Sequence, residues 1–373
     1  MTFRFLHSSD LHLGKPFGGF PETIRNRLRE ARHGAIARLA QAARGQGVRT
    51  ILLAGDTFDA ETPAPDTLRH ALRAMAAEAD VTWVLLPGNH DSLAATELWR
   101  RAAADAAPNL CLALEARPMT LAPGVTLLPA PCARRRSGRD LTEWMEDAPS
   151  DGLRIGLAHG AVTSFDGEDG GPGLIAPDRA ARARLDYLAL GDWHGTLAID
   201  ARTHYSGTPE PDSFKHDAPG GALLVAIAAP GAPPAVERVR IGALRWQVAD
   251  LALLPAEDGA ARLGAILPPV TDRRDCLLRL VLRGRLPLPA RAALLAAAAE
   301  VAPDFGWFDC ADAALETEAR PDDLDLIDRA GALRTAAEAL LAEARDDTLP
   351  ADLREAASAA LSRLYAFAQE VQG

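Results

Sequence analysis

Short apolar runs recur along the first 190 residues, each bounded by turn-forming residues. Segments 2–7, 49–54, 81–86, 125–129, 153–158 and 185–190 are rich in Leu, Val and Ile and end in Gly, Pro, Asp or His. That pattern predicts buried strands. Between the first three, residues 22–44 and 66–79 are rich in Ala, Leu and Arg and read as helices. The βαβ rhythm, mixed later with strand-to-strand connections such as 196–206 and 221–227, predicts an α/β fold of two central sheets flanked by helices. Residues 228–234, AAPGAPP, suit a linker. Beyond them, strands near 235–250, a strand at 277–284, a helix at 289–301 and a strand near 305–310 predict a small α+β capping domain. From about residue 330 the chain reads as helical. Leu353, Ala357, Ala360, Leu361, Leu364, Ala368 and Val371 recur there at helix spacing and form one apolar stripe. The predicted organisation is therefore 1–230, 235–328 and a helical segment 329–373.

Composition narrows the class. With 373 residues and 48% hydrophobic content, the chain has material for a large core and a second, smaller one. Its four cysteines (Cys111, Cys132, Cys276 and Cys310) lack any C-x-x-C spacing, so neither a disulfide framework nor a thiolate zinc site is indicated. The start, MTFRFLHSSD, has no signal-peptide core, and no apolar run approaches the roughly 20 residues of a membrane span. A cytoplasmic protein, neither exported nor membrane-embedded, is the expectation. The net charge of −11 argues against a chain coated in basic surface. Residues 1–48, however, carry eight Lys/Arg against three Asp/Glu, whereas residues 231–373 carry 16 against 23. A basic face near the N-terminal end is compatible with the acidic whole.

The chemistry sits where strands end. HSSDLHLG supplies Asp10 and His12; LAGDTFDAETP supplies Asp56 and Asp59; LLPGNHDS supplies Asn89, His90 and Asp91; GLAHG supplies His159; ALGDWHG supplies Asp192 and His194. In α/β folds ligands bind at that edge of the sheets. One D-x-H after a strand is more often a turn than a ligand pair, and Gly-Asp or Gly-Asn alone is an ordinary turn signal. The ordered set points to a two-metal centre. Two cations about 4 Å apart need a shared carboxylate, for which Asp56 is the candidate, and an in-line phosphoryl displacement uses both ions. Carboxylate, imidazole and amide ligands without thiolate favour manganese or iron over copper, with zinc and magnesium left open.

The series D-x-H, G-D-x-x-D, G-N-H-D, H-G and G-x-x-H resembles the calcineurin-like metallophosphoesterase superfamily. Within it, HSSDLHLG, AGDTFD with its Pro-containing loop, and YSGTPEPDSF at 205–214 are similar to the SbcD-type DNA repair exonucleases. The likeness covers about residues 5–214. It implies a two-sheet metallophosphoesterase sandwich in which Asp10, His12, Asp56 and His194 hold one divalent metal, and Asp56, Asn89, His159 and Asp192 the other. It further implies that His90 gives a proton or hydrogen bond to a phosphate oxygen, with Asp91 orienting it. Asp59 is expected to point into structure.

The superfamily's usual G-H-x-H is G-D-W-H here. A carboxylate binds the same ions at similar distances, so Asp192 is expected to ligate. The alternative is that it only hydrogen-bonds, leaving the second metal weak or absent.

The implied activity is metal-dependent cleavage of DNA phosphodiester bonds by a repair exo/endonuclease. Phosphates are expected to meet either the arginines of 25–44 or the basic loop ARRRSGR at 133–139, unless both are solvated faces. The glycine-rich 164–173 reads as a surface loop near the mouth of the site, and Phe17 with the glycines of GKPFGGFP as another mobile rim. The resemblance also implies an SMC-like ATPase partner (SbcC type) gripping the C-terminal helices, as against their packing on their own domain. A homodimer is left open. Two other readings stand beside the nuclease: a stand-alone phosphoesterase on a nucleotide or small phosphodiester, and a catalytically weak DNA-end-binding scaffold.

Overall fold

A computed structural model describes residues 2–149, 152–163, 174–216 and 218–372. The glycine-rich stretch 164–173 therefore lies outside the described residues. The chain divides into two compact units, Met1–Trp246 and Gln247–Gly373.

In the first unit the strands are β1 (Phe3–Ser8), β2 (Thr50–Leu53), β3 (Thr82–Leu85), β4 (Leu110–Leu112), β5 (Met119–Ala122), β6 (Val125–Ala130), β7 (Leu153–His159), β8 (Tyr187–Gly191), β9 (Leu197–Ala198), β10 (Thr203–Tyr205), β11 (Gly221–Ile227) and β12 (Ala235–Arg240). Helices α1 (Glu22–Gly45), α2 (Pro65–Ala77), α3 (Thr96–Asp105) and the short α4 (Arg179–Arg182) lie between them. Two six-stranded sheets result, in the orders β12-β11-β1-β2-β3-β4 and β5-β6-β7-β8-β10-β9. β1 to β4 run parallel in the first sheet, as do β6, β7, β8 and β10 in the second.

Period-two alternation explains why the strands read as continuous apolar runs: both faces of each sheet are covered. Phe5, Leu52 and Val84 pack with Leu127, Ile155, Leu157 and Tyr187 in one buried cluster shared by both sheets. Their neighbours Leu6, Ile51, Leu53, Trp83 and Leu85 point the other way, onto Ile36 and Leu39 of α1, Leu72 and Met75 of α2, and Leu98 and Trp99 of α3. On the far face of the second sheet Leu128, Leu188 and Leu190 pack on Met145 and Leu185.

One predicted boundary is corrected. AAPGAPP is a hairpin turn rather than a linker, because β12 pairs antiparallel with β11 (Ala226 opposite Ala235) as the edge strand of the first sheet. The division falls at 246/247 instead of between 230 and 235.

The second unit contains β13 (Arg245–Leu253, which begins at the division), α5 (Gly259–Ile266), α6 (Val270–Arg273), β14 (Cys276–Pro287), α7 (Leu288–Val301), β15 (Trp307–Glu318), α8 (Ala332–Arg345) and α9 (Ala351–Gln372). Its three strands form one sheet in the order β13-β14-β15. The C-terminal helices share a buried cluster with the start of α7: Leu361, Tyr365 and Ala368 of α9 meet Ala337 and Leu341 of α8 and Leu288. Residues 329–373 are thus part of this unit instead of a third body. The stripe is half used: Ala357, Leu361 and Ala368 are buried, whereas Leu353 and Val371 are exposed.

Candidate metal centre

The centre lies in the first unit, where the C-terminal ends of β1, β2 and β3 meet those of β7 and β8. Backbone bonds lock these ends together: Asp10 N donates to the Gly55 carbonyl (3.1 Å) and His12 N to that of Asp56 (2.9 Å). His159 Nδ1 lies 2.8 Å from the Ala54 carbonyl, and Asp192 N donates to the Asp10 carboxylate at 3.2 Å. The approach is close enough to require glycine: a Cβ on Gly88 would overlap the Asp56 carboxylate, and one on Gly191 the Ala54 carbonyl oxygen. The glycines of G-N-H-D and G-D-W-H are therefore steric necessities of two sheets meeting at their edges.

Every residue expected at the site is brought there. His12 Nε2 and His194 Nε2 face each other at 3.1 Å. Two nitrogens at metal bonds of about 2.1 Å subtending 90–109° lie about 3.0–3.4 Å apart, so this spacing suits a shared ion. Asp56 Oδ2 sits midway between two imidazoles, 3.6 Å from His12 Nε2 and 3.5 Å from His159 Nε2. Three sets of donor atoms, each lying within 4.8 Å of one another, emerge: Asp10, His12 and His194; His12, Asp56 and His90; Asp10, Asp56 and His159. The buried His159 Nε2 and Asn89 Oδ1 have no hydrogen-bond partner. A buried polar atom without a hydrogen bond is costly unless something else fills that place, so these atoms fit metal ligands. Asp192 joins none of the three sets. Its Oδ1 accepts from Asn89 Nδ2 at 3.0 Å and lies 3.8 Å from His159 Nε2.

Around the donors stand residues that the motifs did not assign. Asp212 presents one oxygen to His194 Nδ1 at 3.2 Å and the other to Lys15 Nζ at 2.5 Å and Arg32 Nη2 at 3.2 Å. Asp59, expected to point into structure, has its Oδ1 3.2 Å from His12 Nδ1. The Asp212 carboxylate hydrogen-bonded behind the His194 imidazole is the arrangement that fixes the tautomer of a metal-ligating histidine, whereas His12 Nδ1 makes no hydrogen bond to Asp59. The orienting role expected of Asp91 falls to another group. His90 Nδ1 lies 2.9 Å from the Asp59 backbone carbonyl, while the two Asp91 oxygens accept from Gly88 N (2.7 Å) and Phe58 N (3.0 Å). Asp91 shapes the G-N-H-D turn, and Asp59 holds the ring.

The electrostatics follow from burying several carboxylates together. Burial pushes Asp56 up to about 7. For His159 burial opposes protonation, but Asp56, Asp10 and Asp192 outweigh it and raise the imidazole to about 9. His194, opposed by burial and supported by Asp212, rises to about 8, whereas burial and the neighbouring His194 and Arg32 hold His12 well below its ordinary value. The pocket attracts positive charge, whether protons or cations.

The calcineurin-like phosphoesterase family matches residues 3–196, just over half of the chain. This chain belongs to that family. A relative in Rhodobacter capsulatus, the SbcD component of the nuclease SbcCD, is 27% identical over an alignment of 360 residues that covers 80% of this phosphoesterase and 85% of that protein. An uncharacterised metallophosphoesterase, YhaO of Bacillus subtilis, is 26% identical over 304 residues, covering 76% of this chain and 72% of its own. These two relatives support the SbcD-type branch within the family. Among solved structures, a dimetal phosphatase from Danio rerio aligns with a TM-score of 0.38 at 12% identity, covering 64% of this chain and 98% of its own.

In this phosphoesterase His12, Asp56, Asn89 and His194 line a pocket of about 210 Å³, and a larger cavity of about 470 Å³ adjoins it through Asn89 and Asp192. The basic helix α1 is not the open phosphate track its composition suggests. Arg32 is buried and donates to the Leu11, Asp10 and Glu210 carbonyls; Arg38 pairs with Glu210 at 2.6 Å; Arg44 pairs with Glu78 and Asp80; Arg25 and Arg29 donate to backbone carbonyls. Phe17, expected on a mobile rim, is 5% exposed, with the Arg32 guanidinium 5.9 Å from its ring centre. No helix among the described residues is long and apolar enough to cross a membrane.

Proposed function

We propose that this phosphoesterase is a metal-dependent phosphodiesterase acting on DNA. In this reading Asp10, His12, Asp56 and His194 hold one divalent ion, and Asp56, Asn89 and His159 a second, with manganese the metal best suited to the donor set. The observation that carries it is the convergence of unpaired Asn89 Oδ1 and His159 Nε2 beside an Asp56 oxygen equidistant from two imidazoles. Asp192 serves the second site by fixing the Asn89 amide so that its oxygen faces the donors.

When bound, two such ions supply Lewis acidity and charge neutralisation at the phosphate. The protein's own contribution is placement. Asp212 sets the ring of His194, and the Asp59 carbonyl takes the Nδ1 proton of His90 as a hydrogen bond. When the ring carries a second proton, His90 Nε2 is the atom that offers it, as a proton or hydrogen bond, to an oxygen of the phosphodiester.

DNA as substrate draws support from the relative named as part of a nuclease. An SMC-like ATPase partner of the SbcC type, which the same relative suggests, would grip α8 and α9, where Leu333, Leu353, Phe367 and Val371 are exposed. The test is manganese-dependent cleavage of linear duplex DNA by wild type and His90→Ala. Loss of a proton donor lowers kcat by about 10²–10⁴-fold, and a wild type that cleaves no faster than His90→Ala overturns the nuclease. Activity on a small phosphodiester without cleavage of DNA would instead support the stand-alone phosphoesterase, which the net charge of −11 favours.

A further inference from the structure

The cavity of about 470 Å³ beside the centre shares Asn89 and Asp192 with it and is edged by Arg134, Arg135, Arg136 and Arg139. These arginines are exposed, and no ion pair among the described residues engages Arg134, Arg136 or Arg139. Several other arginines of this unit, Arg44, Arg100, Arg101, Arg179 and Arg202, face carboxylates. Among the described residues of the same lining, the one carboxylate outside the metal centre, Asp140, is taken by Arg179 at 2.7 Å and by Thr142. Beneath the arginines the wall is apolar, with Cys132, Ala158, Ala161 and Ile175 buried. Concentrated guanidinium charge over an apolar floor, one wall away from a phosphate-handling centre, is a recognition surface for a group with an anionic end and a flat body.

We infer that this cavity receives the nucleotide next to the scissile phosphodiester on the Asn89 side, its base and sugar against the apolar floor and its next phosphate against Arg134, Arg136 and Arg139. The inference rests on the phosphodiesterase reading and deepens it. The volume lies within the about 300–1,000 Å³ of small-ligand sites, enough for one nucleotide and too little for paired strands. A duplex must therefore present a frayed or single-stranded end. Guanidinium groups supply bidentate phosphate contacts and planar surfaces for a base without reading its identity, so the preference is for strand form over sequence.

The test compares wild type with Arg134→Ala/Arg136→Ala/Arg139→Ala in the full chain, with Arg117→Ala, an exposed arginine elsewhere on the unit, as the charge control. Hexathymidylate carries the extra nucleotide and phosphate, and bis-p-nitrophenyl phosphate carries neither. With manganese, the ratio of kcat/KM on hexathymidylate to that on bis-p-nitrophenyl phosphate falls at least tenfold in the triple variant and holds in Arg117→Ala. Binding of fluorescein-labelled hexathymidylate to the metal-free proteins weakens by the same order, and its salt dependence flattens. An unchanged ratio together with unchanged binding overturns the inference while leaving the phosphodiesterase intact. Failure of wild type to hydrolyse bis-p-nitrophenyl phosphate removes the phosphodiesterase instead, and metal-free binding then still decides whether the cavity takes a strand.

Discussion

Of the six non-glycine residues with positive φ among the described residues, three are donors of the candidate centre, Asp10, His12 and Asp56, and a fourth, Asp192, holds the Asn89 amide. Such conformations cost of order 1–3 kcal/mol each and persist only where the surroundings enforce them. Here the enforcement is the web of backbone bonds between strand ends, which aims carboxylates and imidazoles inward. The histidines are held from behind, and that is where substitution is most informative. Asp212→Asn keeps the shape but weakens the grip on His194 Nδ1, so manganese affinity falls about 10–100-fold in a competitive chelator titration. The protonation pattern gives a second expectation. His159 and His194 rise on folding to about 9 and about 8, so their stabilisation of the metal-free protein is complete below pH 6.5 and lost as pH climbs through those values. Asp56, raised to about 7, acts in the same direction, since folding disfavours its ionised form. The melting temperature of chelator-treated protein therefore falls between pH 6.5 and 9, and manganese restores it most at the alkaline end, because ions displace protons there. A flat profile would contradict these shifts. The donors were legible because each follows a strand within a short motif. Asp212 was not: it follows no strand end in register with the others, and only the path of the chain after β10 carries it behind His194. Asp59 lay inside a motif, but nothing in the spacing told which way its side chain turns.

At the level of elements, α1 shows why charge composition misleads. Its arginines look like a nucleic-acid face, yet Arg32 is 2% exposed and ties the helix to the loop after β1 and to Glu210 and Asp212. Arg32→Ala leaves the Asp212 carboxylate short of its buried partner, and the expected loss is about 3–5 kcal/mol by urea denaturation. The glycines at the sheet junction are equally exacting. Gly191→Ala forces the end of β8 away from Ala54, at a cost of at least about 1–3 kcal/mol with loss of metal binding, whereas Gly18→Ala, in open space, leaves both unchanged. The main strands of the first unit were readable because they are buried on both faces. α3, β4 and β5 were missed, since short segments with mixed polarity carry little periodicity. The misplaced boundary has a plain cause: a Pro/Gly stretch looks the same whether it joins domains or turns a hairpin, and pairing with β11 decides between them.

For the molecule as a whole, a family shared over residues 3–196 and a metal centre built in the same unit support one conclusion about chemistry. The second unit, with its own core and its exposed apolar positions on α8 and α9, is where partner binding belongs in this reading. What the fold offers is a rigid edge at which strand ends from two sheets converge, and the proposed function depends on that edge holding two ions. Manganese titration of chelator-treated protein, read as bound metal per chain, tests this most directly. Two ions per chain in wild type, reduced to one in His159→Ala, is the predicted result. Fewer than two in wild type, or the same number in both proteins, would contradict it.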